Sequence, residues 1–181
     1  MSRTGAPSGV RDAAPPRDEA PAPAQRCTVI PPSIHASAVL VGARAVLIRG
    51  PSGAGKSMLA LRLVQAAEAR ADALARLVAD DRTMVEAVSG RLVVRPVPAL
   101  AGLVEVRGLG LRRLPHEPAA VVGLVVDLAD PDAERLPQDH HAATTIAGVR
   151  LRRLGLPPGV DPLAAVLAVL ADPARGPADL L

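Results

Sequence analysis

Gly50-Pro51-Ser52-Gly53-Ala54-Gly55-Lys56-Ser57 has the spacing G-x-x-x-x-G-K-S and lies between the apolar run Ala45-Val46-Leu47-Ile48 and a helix-forming stretch from Met58 to Arg70. A strand, a glycine-rich turn and a helix in that order wrap backbone N–H groups around a β-phosphate. They also bring the lysine to the β/γ-phosphates and the serine hydroxyl to a magnesium ion. The pattern implies a bound nucleotide, with Gly50, Ser52, Gly53, Ala54, Gly55, Lys56 and Ser57 as the residues that hold it.

Working outward, Ala38 to Val41, the turn Gly42-Ala43-Arg44 and Ala45 to Ile48 read as two adjacent strands feeding the loop. After Lys56, Leu59, Leu63 and Ala67 share one helical face with Ala60 and Val64 beside it, the stripe of a helix packed on a sheet. Leu77-Val78-Ala79 reads as a strand ending at Asp80-Asp81. Met84 to Val88 and Arg91 to Val94 flank Ser89-Gly90, a tight hairpin turn. Val104-Glu105-Val106 is a further short strand, and Val121 to Leu128 a nearly continuous apolar one, hence central. Val149 to Leu154 alternates apolar residues with arginines, as at a half-exposed strand. Asp161-Pro162 then opens a helix through Leu170. Many short strands with one clear strand-to-helix alternation predict an α/β fold, a mixed sheet with flanking helices.

The chain has 181 residues, about one domain. Met1 to Arg26 is rich in Ala, Pro, Gly and charge without periodicity, and reads as a disordered leader. Residues 27–181 are then the folded domain. Hydrophobic residues make up 49% while Phe, Tyr and Trp are absent, so the core is built from Val, Leu, Ile and Ala. An aromatic cage or a base-stacking platform is excluded. With 21 Lys+Arg against 18 Asp+Glu the formal charge is only +3. The basic residues are scattered, Arg112-Arg113 and Arg150, Arg152, Arg153 being short clusters on solvated strand faces, so no nucleic-acid partner is expected. The lone Cys27 makes no internal disulfide, which fits a reducing cytoplasm. Stretches such as Ala119 to Leu128 fall short of the roughly 18 to 20 apolar residues that span a bilayer, so no membrane partner is expected.

Three further groups carry chemistry. Asp80-Asp81 ends a strand, where neighbouring side chains point to opposite sides unless the strand is already turning into a loop. One carboxylate can then face the nucleotide while the other approaches the metal or orders the loop. One can also accept a hydroxyl proton during phosphoryl transfer; the bland alternative is a turn with two solvated aspartates. His35, just before a strand that neighbours the one entering the loop, can orient a substrate or pair with an aspartate. Glu105 and Arg107 share a strand face ahead of Gly108 and Gly110. They form either a surface ion pair or a magnesium and phosphate contact. His140 and His141 lack the ligand spacing of a zinc site.

Ser33-Ile34-His35, the glycine loop, Leu77-Val78-Ala79-Asp80-Asp81-Arg82 and Val104-Glu105-Val106-Arg107-Gly108-Leu109-Gly110, in that order, resemble the catalytic domain of bacterial HPr kinase/phosphorylase. The resemblance implies a P-loop-containing fold akin to phosphoenolpyruvate carboxykinase. It implies ATP-dependent phosphorylation of a serine on the phosphocarrier protein HPr, with ATP and Mg2+ as cofactors. It further implies reverse phosphorolysis yielding pyrophosphate, a role in phosphotransferase regulation and a homo-oligomer, a hexamer. It makes Lys56 the phosphate-binding lysine, Asp80 the base toward the substrate serine, His35 its supporting histidine, and Ser57 and Glu105 the magnesium-associated pair, with Asp81 beside them. Glu134-Arg135-Leu136 resembles the segment carrying a late catalytic arginine, here Arg135.

This chain departs from the family pattern in places. Met58 stands where an acidic residue is common, and Ala36 where glycine is usual. Pro157-Pro158-Gly159-Val160-Asp161 stands where the pattern has Gly-Arg-Asn, a segment linked to dephosphorylation. Two other functions stay open, a nucleotide-dependent sensor with little transfer and a P-loop kinase acting on another acceptor.

Overall fold

Val46 and Ile48 face one side of the strand that enters the glycine loop and Ala45 and Leu47 the other, and all four are buried. A strand buried on both faces must be covered twice. The computed structural model, which describes residues 31–69, 74–133 and 142–171, gives two different covers. The expected leader, Cys27, Arg135, His140 and His141 lie outside the described residues.

The chain runs β1 (Ser33–Ile34), β2 (Ser37–Val41), β3 (Arg44–Arg49), α1 (Lys56–Glu68), β4 (Ala75–Ala79), β5 (Thr83–Val88) and β6 (Arg91–Pro96). It continues through β7 (Leu103–Val106), β8 (Gly110–Arg113), β9 (Ala120–Leu128), β10 (Ala143–Ile146), β11 (Val149–Leu156) and α2 (Pro162–Ala171). The main sheet has the order β1-β5-β6-β9-β3-β2-β4, with β11 joined to β9 and β10 to β11, while β7 and β8 form a separate hairpin. The anticipated turn at Ser89-Gly90 has positive φ at both residues, 49° and 73°, the geometry that matches strand twist in a two-residue hairpin. Ala147 and Gly148 repeat it at 49° and 79° between β10 and β11.

On one face α1 lays Leu59, Ala60, Leu63, Val64 and Ala67 against Val46, Ile48, Leu124 and Val126, the stripe read from the sequence. α2 joins the same face through Val166. Each such leucine, isoleucine or valine contributes about 1.5–3 kcal/mol by leaving water. On the other face Ala45, Leu47, Val78 and Val125 meet Val85, Leu92 and Val94 of the β5–β6 hairpin. The sheet curls until β4, at one end of its order, touches β6. Small and β-branched side chains suit so tight a curl, which explains a core without aromatic rings.

This topology corrects the expected P-loop-containing, phosphoenolpyruvate carboxykinase-like class. Among the described residues, parallel pairing between strands is confined to β3 with β9 and β9 with β11, and an isolated parallel bridge joins Leu77 to His116. The remaining pairs are antiparallel because two-residue turns join several of the strands, and parallel neighbours need crossovers of a dozen or more residues. The fold is a curled mixed α/β sheet with both described helices on one face. No helix of the described residues is long and apolar enough to cross a membrane.

Candidate functional site at the β3 to α1 loop

Three glycines shape the loop, with φ of 145° at Gly50, 81° at Gly53 and 92° at Gly55. At Gly50 a Cβ would lie 2.8 Å from the carbonyl oxygen of Leu128, so only glycine lets the loop leave β3 this close to β9. Gly55 is the N-cap of α1 and offers no side chain to the first-turn N–H groups. Those donors and the positive end of the helix dipole therefore face the loop, a setting that favours an anion. Lys56 is only 6% exposed, and its ammonium donates to the carbonyls of Gly50 and Pro51, both at 2.9 Å. Burial lowers its pKa from the ordinary 10.5, against the upward pull of Asp81 and Asp80.

A cavity of about 330 Å3 opens above the loop, and its wall includes Ser52, Gly53, Gly55, Lys56, Ser57 and Met58. From the other side come His35, Asp81, Glu105 and Arg107. Four separate stretches of sequence thus meet in one pocket, which brings His35, Ser57, Asp81 and Glu105 together. Gly50 and Ala54 shape the loop from behind the lining, Ala54 through a turn in which its N–H donates to the Pro51 carbonyl at 3.2 Å.

Asp80, expected as the base, follows directly on β4. It is 3% exposed and lies outside the pocket lining, accepting the Ser37 hydroxyl at 2.5 Å and the Glu105 N–H at 3.3 Å. The cause is local. β4 ends at Ala79, Arg82 N–H bonds back to the Asp80 carbonyl at 2.7 Å, and Asp81 sits at φ 62°, a left-handed conformation that aspartate tolerates. The tight turn sends Asp80 under the sheet edge and Asp81 into the pocket. There Asp81 lies 3.4 Å from His35 Nε2. Ser37 escaped the sequence reading, since a serine opening a strand carries no signal of its partner; only the pairing of Ala38 with Ala79 brings it to Asp80.

The donor set fits Mg2+ bound together with phosphate. Ser57 offers a hydroxyl and Asp81 and Glu105 two carboxylates around the glycine loop, and this ion takes one or two carboxylates while phosphates and water complete its octahedron. Among the described residues there is no cluster of three or more His, Cys, Asp or Glu fit to hold a metal by itself.

Behind the loop, on the sheet face away from α1, runs a row of paired charges that includes Arg153, expected on a solvated strand face and found part-buried. Arg49 pairs with Asp127 and Arg153 with both Asp127 and Asp130. Burial raises the Asp127 pKa, but hydrogen bonds and charge from Arg49 and Arg153 outweigh it and leave the carboxyl below its ordinary 3.8.

Residues 30–166 match the family model described as the HPr Serine kinase C-terminal domain. The chain belongs to the HPr kinase/phosphorylase family. It is similar to the HPr kinase/phosphorylase of Clostridium tetani, 31% identical over 135 residues that cover 68% of this chain and 42% of the relative. It is also similar to that of Neisseria meningitidis, 34% identical over 143 residues covering 70% and 41%. A shorter stretch of 80 residues is 42% identical to the Streptococcus thermophilus protein, covering 44% of this chain and 24% of the relative. The chain thus spans about two fifths of the length of the first two relatives. Among solved structures, the Hpr(Ser) kinase/phosphatase from Coxiella burnetii superposes with a TM-score of 0.63 at 20% identity, over 77% of this chain and 88% of that one. That likeness gives the fold, in place of the carboxykinase-like class expected from sequence.

Proposed function

We propose that this protein is an ATP-dependent kinase that phosphorylates a serine of HPr, and that the pocket over the glycine loop is where transfer occurs. The observation that carries the reading is the convergence of Lys56, Ser57, Asp81, His35, Glu105 and Arg107 on one cavity at the N-terminus of α1. In the forward direction the serine Oγ attacks the γ-phosphorus, its bond to the β–γ bridging oxygen breaks, and ADP leaves. Asp81 takes the serine proton, since its carboxylate lines the pocket while Asp80 is occupied beneath it. His35, 3.4 Å away, orients that carboxylate. Lys56 and Arg107 place positive charge where the moving phosphoryl oxygens gather it, and the loop N–H groups hold the phosphates. Ser57 and Glu105 would hold Mg2+ together with the nucleotide phosphates, and the ion would supply neutralisation of the polyphosphate charge. In reverse, an oxygen of inorganic phosphate attacks the phosphoserine phosphorus, the serine Oγ–P bond breaks to give pyrophosphate, and Asp81 passes a proton from the attacking phosphate to serine Oγ.

Arg135 and assembly into a hexamer belong to the same proposal and rest on the family resemblance, and a cytoplasmic location belongs to it on the lone Cys27. The test is transfer of γ-labelled phosphate from ATP to purified HPr by the wild type, Asp81→Asn and Asp80→Asn, with inorganic phosphate added to phosphorylated HPr in parallel. Label on an HPr serine that is lost in Asp81→Asn supports the reading, and pyrophosphate in the parallel sample extends it to reversal despite Val160. Binding of Mg-ATP without transfer to HPr would replace it by a sensor or a kinase of another acceptor.

A further inference from the structure

Arg49 is the residue immediately before the glycine loop, and its side chain is tied to another strand. Its Nε donates to Asp127 Oδ1 and its Nη2 to Asp127 Oδ2, both at 2.7 Å. This two-pronged geometry fixes orientation as well as distance. The two residues are also register partners on the neighbouring parallel strands β3 and β9. Asp127 is 14% exposed and accepts a second guanidinium, with Arg153 Nε at 2.6 Å, while Arg153 Nη2 reaches Asp130 at 2.5 Å. The last turns of β3, β9 and β11 are therefore laced together by side chains where the loop departs.

One residue further on, Gly50 passes close against Leu128, the neighbour of Asp127. The Gly50 carbonyl then accepts the Lys56 ammonium at 2.9 Å. Beyond that point the loop is held by its own bonds, Ala54 N–H and the Lys56 ammonium both donating to the Pro51 carbonyl, while Gly53 and Gly55 face open space. Its place in space is set by its two ends, α1 on one side and the Arg49–Gly50 step on the other. Ion pairs of this burial add little to stability by themselves and are better explained by the geometry they impose.

We propose that Arg49 and Asp127 are positioning residues for the glycine loop, fixing where β3 releases the chain and hence where Lys56 stands relative to Asp81 and Glu105. The inference rests on the reading of the pocket as an ATP site, and its test separates the two. Arg49→Gln is the primary variant, because Asp127 then keeps Arg153 and the buried carboxylate stays partnered; Asp127→Asn is the second. Amide hydrogen exchange over residues 51–57 is compared with exchange in β3 and β9, and the KM for ATP is compared with kcat. The expected result is faster exchange confined to the loop and a KM for ATP raised about tenfold or more, since small misplacements of binding groups are costly. Arg49→Lys, which keeps charge but not the fork, should fall between. Wild-type loop exchange and wild-type KM in a variant with merely a lower melting midpoint would overturn the proposal and leave an ordinary structural ion pair. Absence of Mg-ATP binding by the wild type would defeat the functional reading, while loop exchange would still decide the positioning.

Discussion

Ser37 donates its hydroxyl to Asp80 at 2.5 Å, in a buried contact that joins the start of β2 to the end of β4. The bond separates two adjacent aspartates by environment. Asp80 is sealed by Ser37 and the Glu105 N–H, whereas Asp81 is left to the pocket and His35. Asp81→Asn is expected to abolish detectable transfer to HPr with Mg-ATP affinity within a few-fold of wild type. Asp80→Ala is expected to destabilise the fold by about 1–3 kcal/mol, the desolvation penalty of buried donors left unpaired. Urea unfolding and transfer assays on the two variants should give opposite profiles; the reverse assignment would return the base to Asp80.

Lys56 couples binding to an alkaline stability window. Burial holds its pKa below 10.5 against the pull of Asp81 and Asp80, so the folded state binds this proton more weakly than the unfolded chain. The charged ammonium therefore opposes folding at neutral pH, and that opposition fades as pH rises toward 10.5. Lys56→Met should remove this rising limb, fold at least as stably as wild type, and lose about 3 kcal/mol of transition-state stabilisation. Unfolding curves across the alkaline range, with transfer rates, check both parts.

Gly50 and Gly53 should respond differently to alanine. At Gly50 the new methyl meets the Leu128 carbonyl at 2.8 Å on top of an unfavourable φ of 145°. A destabilisation of about 1–3 kcal/mol is expected together with weaker Mg-ATP binding. Gly53 has only its φ of 81° to lose, with open space around it, so Gly53→Ala should cost about 1–2 kcal/mol. Calorimetric titration and thermal melts distinguish the two.

Asp127 predicts an acid limb. Its pKa lies below 3.8 because Arg49 and Arg153 outweigh burial, so its stabilisation is present above 3.8 and is lost as pH falls through the lowered value. Asp127→Asn should destabilise the protein by about 3 kcal/mol near neutrality, as expected when two guanidinium groups lose a shared buried acceptor, and should flatten the acid dependence. Denaturation midpoints measured from neutral pH down to about pH 3 test the sign.

By itself the sequence determined the local units. Glycines at fixed offsets in Gly50 to Ser57, the apolar stripe Leu59, Leu63 and Ala67, and Ser89-Gly90 specify backbone conformation over a few residues, and each formed as read. It also determined membership of a family, through motifs that carry chemistry. What only the tertiary structure decided depends on partners distant in the chain. The curl that brings β4 to β6 decided against a carboxykinase-like arrangement, and it arises from which strands pair, a matter of long-range packing. The different surroundings of Asp80 and Asp81 turn on a left-handed residue and a serine 43 positions away. The Arg49–Asp127 pair spans 78 positions and was invisible for the same reason. Periodicity reports which face a side chain takes, and only the folded sheet reports what stands opposite it.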